Sequence, residues 1–485
     1  MSIQRQTTRT RNLPGQPAKA GHNTGSRFRL PWIVWLLLAV AGVVLVAVAI
    51  TLVPANMRVL RVWPADGEEQ AAITAPVHIA FSREPDQVSI ESHFSIEPEV
   101  AGSWAVEGKE AVFVPDRALD PGVTYSVILE AGLLGQGDRQ LANKFAWQFQ
   151  TREPELLYLG WTESGAGPRQ LFVASLESAP RQLTDHALGV WDYAVHPQGE
   201  AIAYSVLRED GGADLWRMDR DGGDQQVLLA CPEAACLNPA WSSDGGQLAY
   251  ERRDIWAGAP NLDPNASRIW LLDLEQGEER PLFDYDVALH SPVWAPTGQR
   301  LAYTSPTIPG VEIYDLDAGT LQQYANEWGT PPAWSPDGGR LVLPELMMAG
   351  EALAVRLVRI DLDTDHLVDI SGDDDFVQDV APAWSPGGGW IAFGRQFLDD
   401  ERWTPGRQIW LTRPDASEAY GLPAEAMADH YAFAWRPDGG ALAYARADLG
   451  EAAQVAPDVS VWVFDFDRGE PRRASDDAVL PRWLP

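Results

Sequence analysis

PAWSSDGGQLAY (239–250), PVWAPTGQRLAY (292–303), PAWSPDGGRLVL (332–343), PAWSPGGGWIAF (382–393) and FAWRPDGGALAY (433–444) are five copies of one pattern. A weaker copy, YAVHPQGEAIAY (193–204), carries Val195 where the others carry Trp, and PRW (481–483) is a truncated last copy. The anchor position falls at 195, 241, 294, 334, 384, 435 and 483, with spacings of 46, 53, 40, 50, 51 and 48. Within each copy the x-x-W run reads as a strand. S-P-D-G reads as a tight turn, with Pro fixing φ, Asp capping and Gly supplying φ > 0. L-A-Y reads as a second strand whose small central residue permits close packing. A third strand follows, as in DLWRMD (214–219), RIWLLDL (268–274) and SVWVFDF (460–466), and then an outer one such as ERPLF (279–283).

A period near 48 with four short strands per repeat is the signature of β-propeller blades. LLYLG (156–160) matches a second strand with no inner strand before it, and PRW (481–483) is an inner strand with nothing after it. Together they complete one blade, so the expected ring has seven blades and closes by joining the two ends of residues 154–485. This stretch resembles the TolB-type, WD-repeat-like propellers. The resemblance implies protein–protein contacts at a cell envelope; many such propellers have six blades, so seven is a departure. The repeated Trp241, Trp294, Trp334, Trp384, Trp435 and Trp483 are expected to be blade core.

Upstream, residues 57–152 alternate strand-like runs with turns: VHIAFS (77–82), FSIEP (94–98), AVFVPD (111–116), VTYSVILE (123–130) and FAWQFQT (145–151). Their length and spacing fit a small β-sandwich. Pro64-Ala65-Asp66-Gly67, the turn before Tyr125 and Trp147-Gln148-Phe149-Gln150-Thr151 resemble the motifs of bacterial Ig-like domains, which are mostly spacers.

Residues 31–53, PWIVWLLLAVAGVVLVAVAITLV, are free of charge and long enough to span a bilayer as a helix. Residues 1–30 carry six basic residues and no acid, and read as a disordered cytoplasmic tail. The basic flank predicts a single-pass anchor in a bacterial cytoplasmic membrane, with its N-terminus inside and everything after residue 53 extracytoplasmic. A cleaved signal peptide is the alternative. The fold class expected is therefore all-β: a seven-bladed propeller behind an Ig-like sandwich and one N-terminal transmembrane helix. In an oxidising compartment Cys231 and Cys236 are expected to pair.

The net charge of −32 argues against a nucleic-acid partner, because phosphates need clustered Lys and Arg. Antiparallel strands place the blade-to-blade crossings and the second-to-third loops on one face, where insertions at 251–267, 344–354, 394–407 and 446–459 make the loops long. The crossings hold acids and no Lys or Arg. Asp185, Asp284, Asp286, Glu327, Asp373, Asp374, Asp375, Asp429, Asp476 and Asp477, with Trp256 and Trp403 on the rim, are the candidate partner-binding residues. They suit a protein or peptide of basic character, or a cell-wall glycan. His186, His290 and His430 lie on the same crossings. No cofactor is expected; calcium at Asp373–Asp375 is the alternative to solvated charge. G-x-S-x-G, H-E-x-x-H and phosphate-binding glycine loops are absent. The sequence therefore predicts a binding or scaffold module without catalytic activity, with a propeller-fold polysaccharide lyase or hydrolase and a structural surface protein as alternatives.

Overall fold

Every indole of the repeated pattern faces a neighbouring blade. In the computed structural model, which describes residues 56–485 except 164–165, 176–178, 256–266, 284–286, 308, 327–328, 350–351 and 451–457, the Trp241 Nε1 donates to the Ala194 carbonyl (3.3 Å). Trp294 donates to Ala240 (3.1 Å), Trp334 to Val293 (3.1 Å), Trp435 to Ala383 (3.0 Å) and Trp483 to Ala434 (3.1 Å). Each acceptor is the residue just before the anchor position of the preceding blade. A buried indole N–H needs an acceptor, and an inner-strand carbonyl supplies it. Trp384 alone in this series finds none. Where Val195 lacks an indole, the Tyr193 hydroxyl takes over, donating to Leu157 (2.9 Å) and Leu480 (2.5 Å) of the neighbouring blade.

The strands assemble into seven four-stranded antiparallel blades. Blade 1 combines Ala478–Leu484 with Glu155–Glu163, Ala166–Ala174 and Arg181–Gln182. Its pairing of Leu156 with Trp483 closes the ring through the two ends of the propeller sequence. The inner strands of blades 2 to 7 are Val190–Val195, Ala234–Trp241, His290–Trp294, Ala333–Trp334, Val377–Trp384 and Ala428–Trp435. A single parallel bridge joins blade 2 to blade 3 (Ala213 with Ala235) and another joins blade 5 to blade 6 (Val355 with Gln378). Tyr204, Tyr250 and Tyr303 of the L-A-Y strands are completely buried, each worth roughly 1.5–3 kcal/mol of apolar burial. In the tight turn of blade 3, the Ser242 hydroxyl donates to Asp244 (2.6 Å), and Asp244 accepts from the Gly246 amide (2.9 Å). Gly245 has φ +74°, and a Cβ there would collide with the His196 ring. The insertion expected as a loop at 344–354 is instead an extended hairpin of Arg340–Ala349 and Ala352–Asp361, paired without a break from Arg340 with Asp361 to Ala349 with Ala352.

Residues 57–151 form two four-stranded sheets. One pairs Val59–Trp63, Val77–Phe81, Glu110–Pro115 and Gly102–Glu107; the other pairs Glu68–Ala71, Phe145–Thr151, Thr124–Leu129 and Phe94–Glu97. Val77, Ile79, Val127, Leu129 and Phe149 fill the core between them. The Tyr125 hydroxyl accepts from the Asp120 amide (2.9 Å), pinning the turn that precedes its strand. Arg152, at the exit, donates to Gln70 (2.8 Å) on the sandwich side. On the propeller side it donates to Gln198 (3.1 Å), in a tight turn of blade 2, and to Pro485 (2.7 Å). The tail at 1–30 and the membrane segment expected at 31–53 lie outside the described residues; among the described ones, no helix is long and apolar enough to cross a membrane.

Candidate functional site

The crossings and the second-to-third connections share one end of the blades, hereafter the long-loop end, and the tight turns share the other. At the long-loop end the fold answers many crossing acids with arginines from adjacent second and third strands. In blades 5 and 6, Arg395 is 1% exposed and holds Asp379, itself 0% exposed, through two bonds (2.8 and 2.6 Å). It also approaches Asp374 at 3.4 Å, while Arg402 reaches Asp374 at 2.7 Å. In blade 7 the Arg407 Nε meets Asp429 at 2.7 Å. Burial works against the Asp429 charge, but the Arg407 hydrogen bonds outweigh it and hold the carboxyl below its usual range. Asp476 pairs with Arg473, and the Asp477 carbonyl accepts from Trp161 (3.0 Å).

Of the remaining sequence candidates, Asp185, Asp373 and Asp375 are exposed, and Trp403 is exposed on the blade 6 loop. Asp284, Asp286, Glu327 and Trp256 lie outside the described residues. Asp374 is held by Arg395 and Arg402, and among the described residues no group of three His, Cys, Asp or Glu side chains is placed to hold a metal ion. Cys231 and Cys236 form the disulfide, both fully buried, at the crossing into blade 3.

Blades 2 to 4 hold a cluster that lacks such arginine partners. A β-bulge recurs in the inner strands three residues before the Trp, with left-handed φ at Asn238 (51°), Ser291 (54°), Ala381 (54°), Ala432 (54°) and Leu480 (52°). Its recurrence marks it as architecture. The bulge turns an amide out of the ladder, and in two blades a carboxylate of the preceding blade captures it. The Asn238 amide donates to Asp192 (2.6 Å), and the Ser291 amide donates to Glu251 (2.7 Å). The Asn238 side chain bridges onward to Glu251 (2.7 Å), whose other oxygen faces His290 Nδ1 at 3.4 Å. Burial pushes the Asp192 carboxyl up to about 6. Burial also acts on Glu251, but the hydrogen bonds from His290, Ser291 and Asn238 prevail and keep it ionised. Two carboxyls of one hydrogen-bonded chain thus have pKa values pushed in opposite directions, an arrangement used in acid–base sites. His290 is part-exposed, whereas His430 is buried with its Nδ1 on the Arg407 carbonyl (2.7 Å). Asp192 and Glu251 are not among the sequence candidates, since both sit inside strands. The signal was one column further along the repeat: where blade 3 has Glu251, other blades carry Thr304, Pro344, Gly394 or Ala445.

Large apolar side chains exposed on the propeller are also unevenly placed. Leu188, Trp191, Met348, Leu353, Phe376, Leu398, Trp403 and Met427 are at the long-loop end; Val227, Leu321, Leu367 and Tyr420 are on outer strands. The cavity of about 500 Å³ lined by Glu153, Arg436 and Arg468 lies elsewhere, beside the sandwich exit.

Residues 54–151 match the family model for the bacterial Ig-like domain. The N-terminal sandwich is a bacterial Ig-like domain. Among solved structures, TolB from Acinetobacter baumannii is similar over 81% of this chain and 83% of its own, at 11% identity and a TM-score of 0.41. Puromycin hydrolase is similar over 66% of this chain and 52% of its own, at 14% identity and a TM-score of 0.49. The chain joins this domain to a seven-bladed propeller. A curated relative, the uncharacterized peptidase YuxL of Bacillus subtilis, is 21% identical over 219 residues, 44% of this chain and 30% of that protein. The chain thus spans less than a third of that relative's length. This finding corrects the expectation of a chain without catalytic activity: a propeller lacking the familiar nucleophile and metal motifs is related to a protein named as a peptidase, so their absence does not exclude an enzyme.

Proposed function

We propose that the long-loop end of the propeller is a recognition surface for a protein or peptide, displayed on the outer side of a membrane by residues 31–53 and spaced from it by the Ig-like domain. The observation that carries this reading is the distribution of exposed apolar side chains. Eight of the twelve large ones on the described propeller sit at that end, and the other four on outer strands. Exposed apolar surface costs solubility and is retained where a partner covers it. The test is photocrosslinking in the source cell, with a reactive residue placed at Met348 or Leu188 and, in parallel, at Asp244 or Thr297 in the tight turns. A discrete adduct from the first pair alone is expected. The same adduct from the tight turns overturns the assignment.

A second reading is favoured by His290 and its buried partner Glu251, together with the relative's name. Here the same end admits a substrate, peptide or glycan, and His290 serves as its acid–base group. Loss of peptide or glycan turnover in His290→Ala, with the fold intact, supports it. Turnover unchanged by that substitution removes His290 from the chemistry.

A further inference from the structure

The blade 6 loop between Ile391–Phe397 and Gln408–Thr412 is fixed in unusual detail for a hairpin connection. Asp399 accepts from the amides of Glu401 (3.2 Å) and Arg402 (2.9 Å), and the Trp403 amide donates to the Asp399 carbonyl (3.0 Å). The Gln396 amide group holds the Thr404 carbonyl at 2.6 Å. Arg402 ties Asp399 to Asp374 of the neighbouring crossing, and its guanidinium lies 4.1 Å from the Phe397 ring centroid. The Leu398 amide donates to the Phe376 carbonyl (2.9 Å), so loop and crossing form one piece.

What this framework holds is apolar surface in water: Trp403 is 57% exposed, Phe376 42% and Leu398 41%. Closing a hairpin does not require a tryptophan held by its backbone on a fixed loop and left in solvent. A loop whose backbone is fixed before binding loses little entropy on binding, and an aromatic side chain presented on it suits an interface anchor. The charge around it is one-sided. Asp374 and Asp399 are neutralised by Arg402 and Arg395, whereas Asp373, Asp375, Asp400 and Glu401 are exposed and make no ion pair among the described residues.

Building on the long-loop reading above, we propose that this knob docks a basic peptide segment with an apolar anchor. The anchor packs on Trp403, Phe376 and Leu398, and arginine or lysine side chains of the segment meet the four unpaired carboxylates and the Trp403 ring face. An anionic partner, nucleic acid included, is repelled by the same groups.

The experiment titrates the full chain against fluorescein-labelled Arg-Leu-Arg-Phe-Arg-Leu-Arg and its glutamate counterpart, read by anisotropy. The basic peptide is expected to bind, more weakly as salt is raised, and the acidic one not to bind. Trp403→Ala is expected to weaken binding about tenfold or more with an unchanged unfolding midpoint, because the side chain is largely exposed. Asp373→Asn with Asp375→Asn is expected to weaken it severalfold. No binding by the basic peptide, or equal binding by wild type and Trp403→Ala, overturns the knob. Trp191→Ala in blade 2 separates the two readings. Loss there but not at Trp403 overturns the knob and keeps the long-loop end; loss at neither overturns both.

Discussion

Asp379 in blade 6 and Asp192 in blade 2 are buried carboxylates on inner strands of the same repeat, and the fold accommodates them by different means. Asp379 is gripped on both oxygens by Arg395, which is as buried as its partner and also donates to the Ser371 carbonyl (2.6 Å). Asp192 has no arginine in hydrogen-bond contact; it accepts a bulge amide and leans on a chain of Asn238, Glu251 and His290. Burial raises the pKa of both, and only at Asp379 does a hydrogen-bonded cation oppose it. In blade 6 the buried charge is therefore neutralised by its own arginine, and the unpaired carboxylates stand at the surface. In blade 2 the buried carboxyl has no arginine at hydrogen-bond range, Arg482 acts on it only through space, and burial leaves its pKa near 6.

The contrast breaks most visibly at Arg395. Arg395→Met leaves Asp379 buried without its counter-ion and is expected to cost about 3–5 kcal/mol in denaturant unfolding. Adding Asp379→Leu is expected to recover most of that loss, since a buried pair replaced by apolar groups of similar size is often neutral. A cost for Arg395→Met alone below about 1 kcal/mol removes the ion pair as the device that holds blade 6.

The blade 2 side is sharpened by pH. The folded pKa of Asp192, near 6, lies above its ordinary 3.8, so the folded protein binds the extra proton between these values. Its charge opposes folding above pH 6, and that penalty is relieved as pH falls from about 6 to about 4, worth roughly 3 kcal/mol in all. His430, whose pKa burial lowers, acts in the opposite sense in acid, so the informative quantity is the difference between wild type and Asp192→Asn. The variant is expected to gain on wild type above pH 6 and to lose that advantage toward pH 4, as read from unfolding midpoints. Parallel profiles contradict the raised pKa.

The smallest effect is expected at Arg402. It makes two ion pairs but is half exposed, and exposed pairs contribute little to global stability. Arg402→Ala is expected to leave the unfolding midpoint in place while speeding amide exchange at Arg402 and Trp403. A fall in the midpoint on the scale of Arg395→Met makes the loop part of the blade 6 core.

Much of this architecture is legible in the sequence. The W-S-P-D-G-L-A-Y pattern carries strand, turn and strand in local chemistry, and its recurrence supplies the repeat. Tyr125 behind its Pro-Gly turn and the Trp147–Thr151 run marked the sandwich. The hairpin of Arg340–Ala349 and Ala352–Asp361 is hard to read from the sequence, because a proline is disfavoured inside a sheet and Pro344 lies within the strand Arg340–Ala349. The acidic crossings and the arginines of the same face stand in the sequence, but which acid each arginine holds does not. Arg395 and Asp379 are sixteen residues apart, and Arg407 and Asp429 twenty-two, each pair joined only once strands have paired.

The sequence by itself determined the repeating unit, the tight turns and the two-domain order, because these follow from alternation, φ preferences and the burial demand of tryptophan over a few residues. Only the tertiary structure decided which acids are free. Charge pairing depends on register and on bulges that bring one blade's carboxylate against the next blade's amide, and neither is encoded in any short stretch. It also decided that Trp403 stands in solvent on a fixed loop while Trp241 is sealed between blades: the same residue type given opposite roles by what surrounds it.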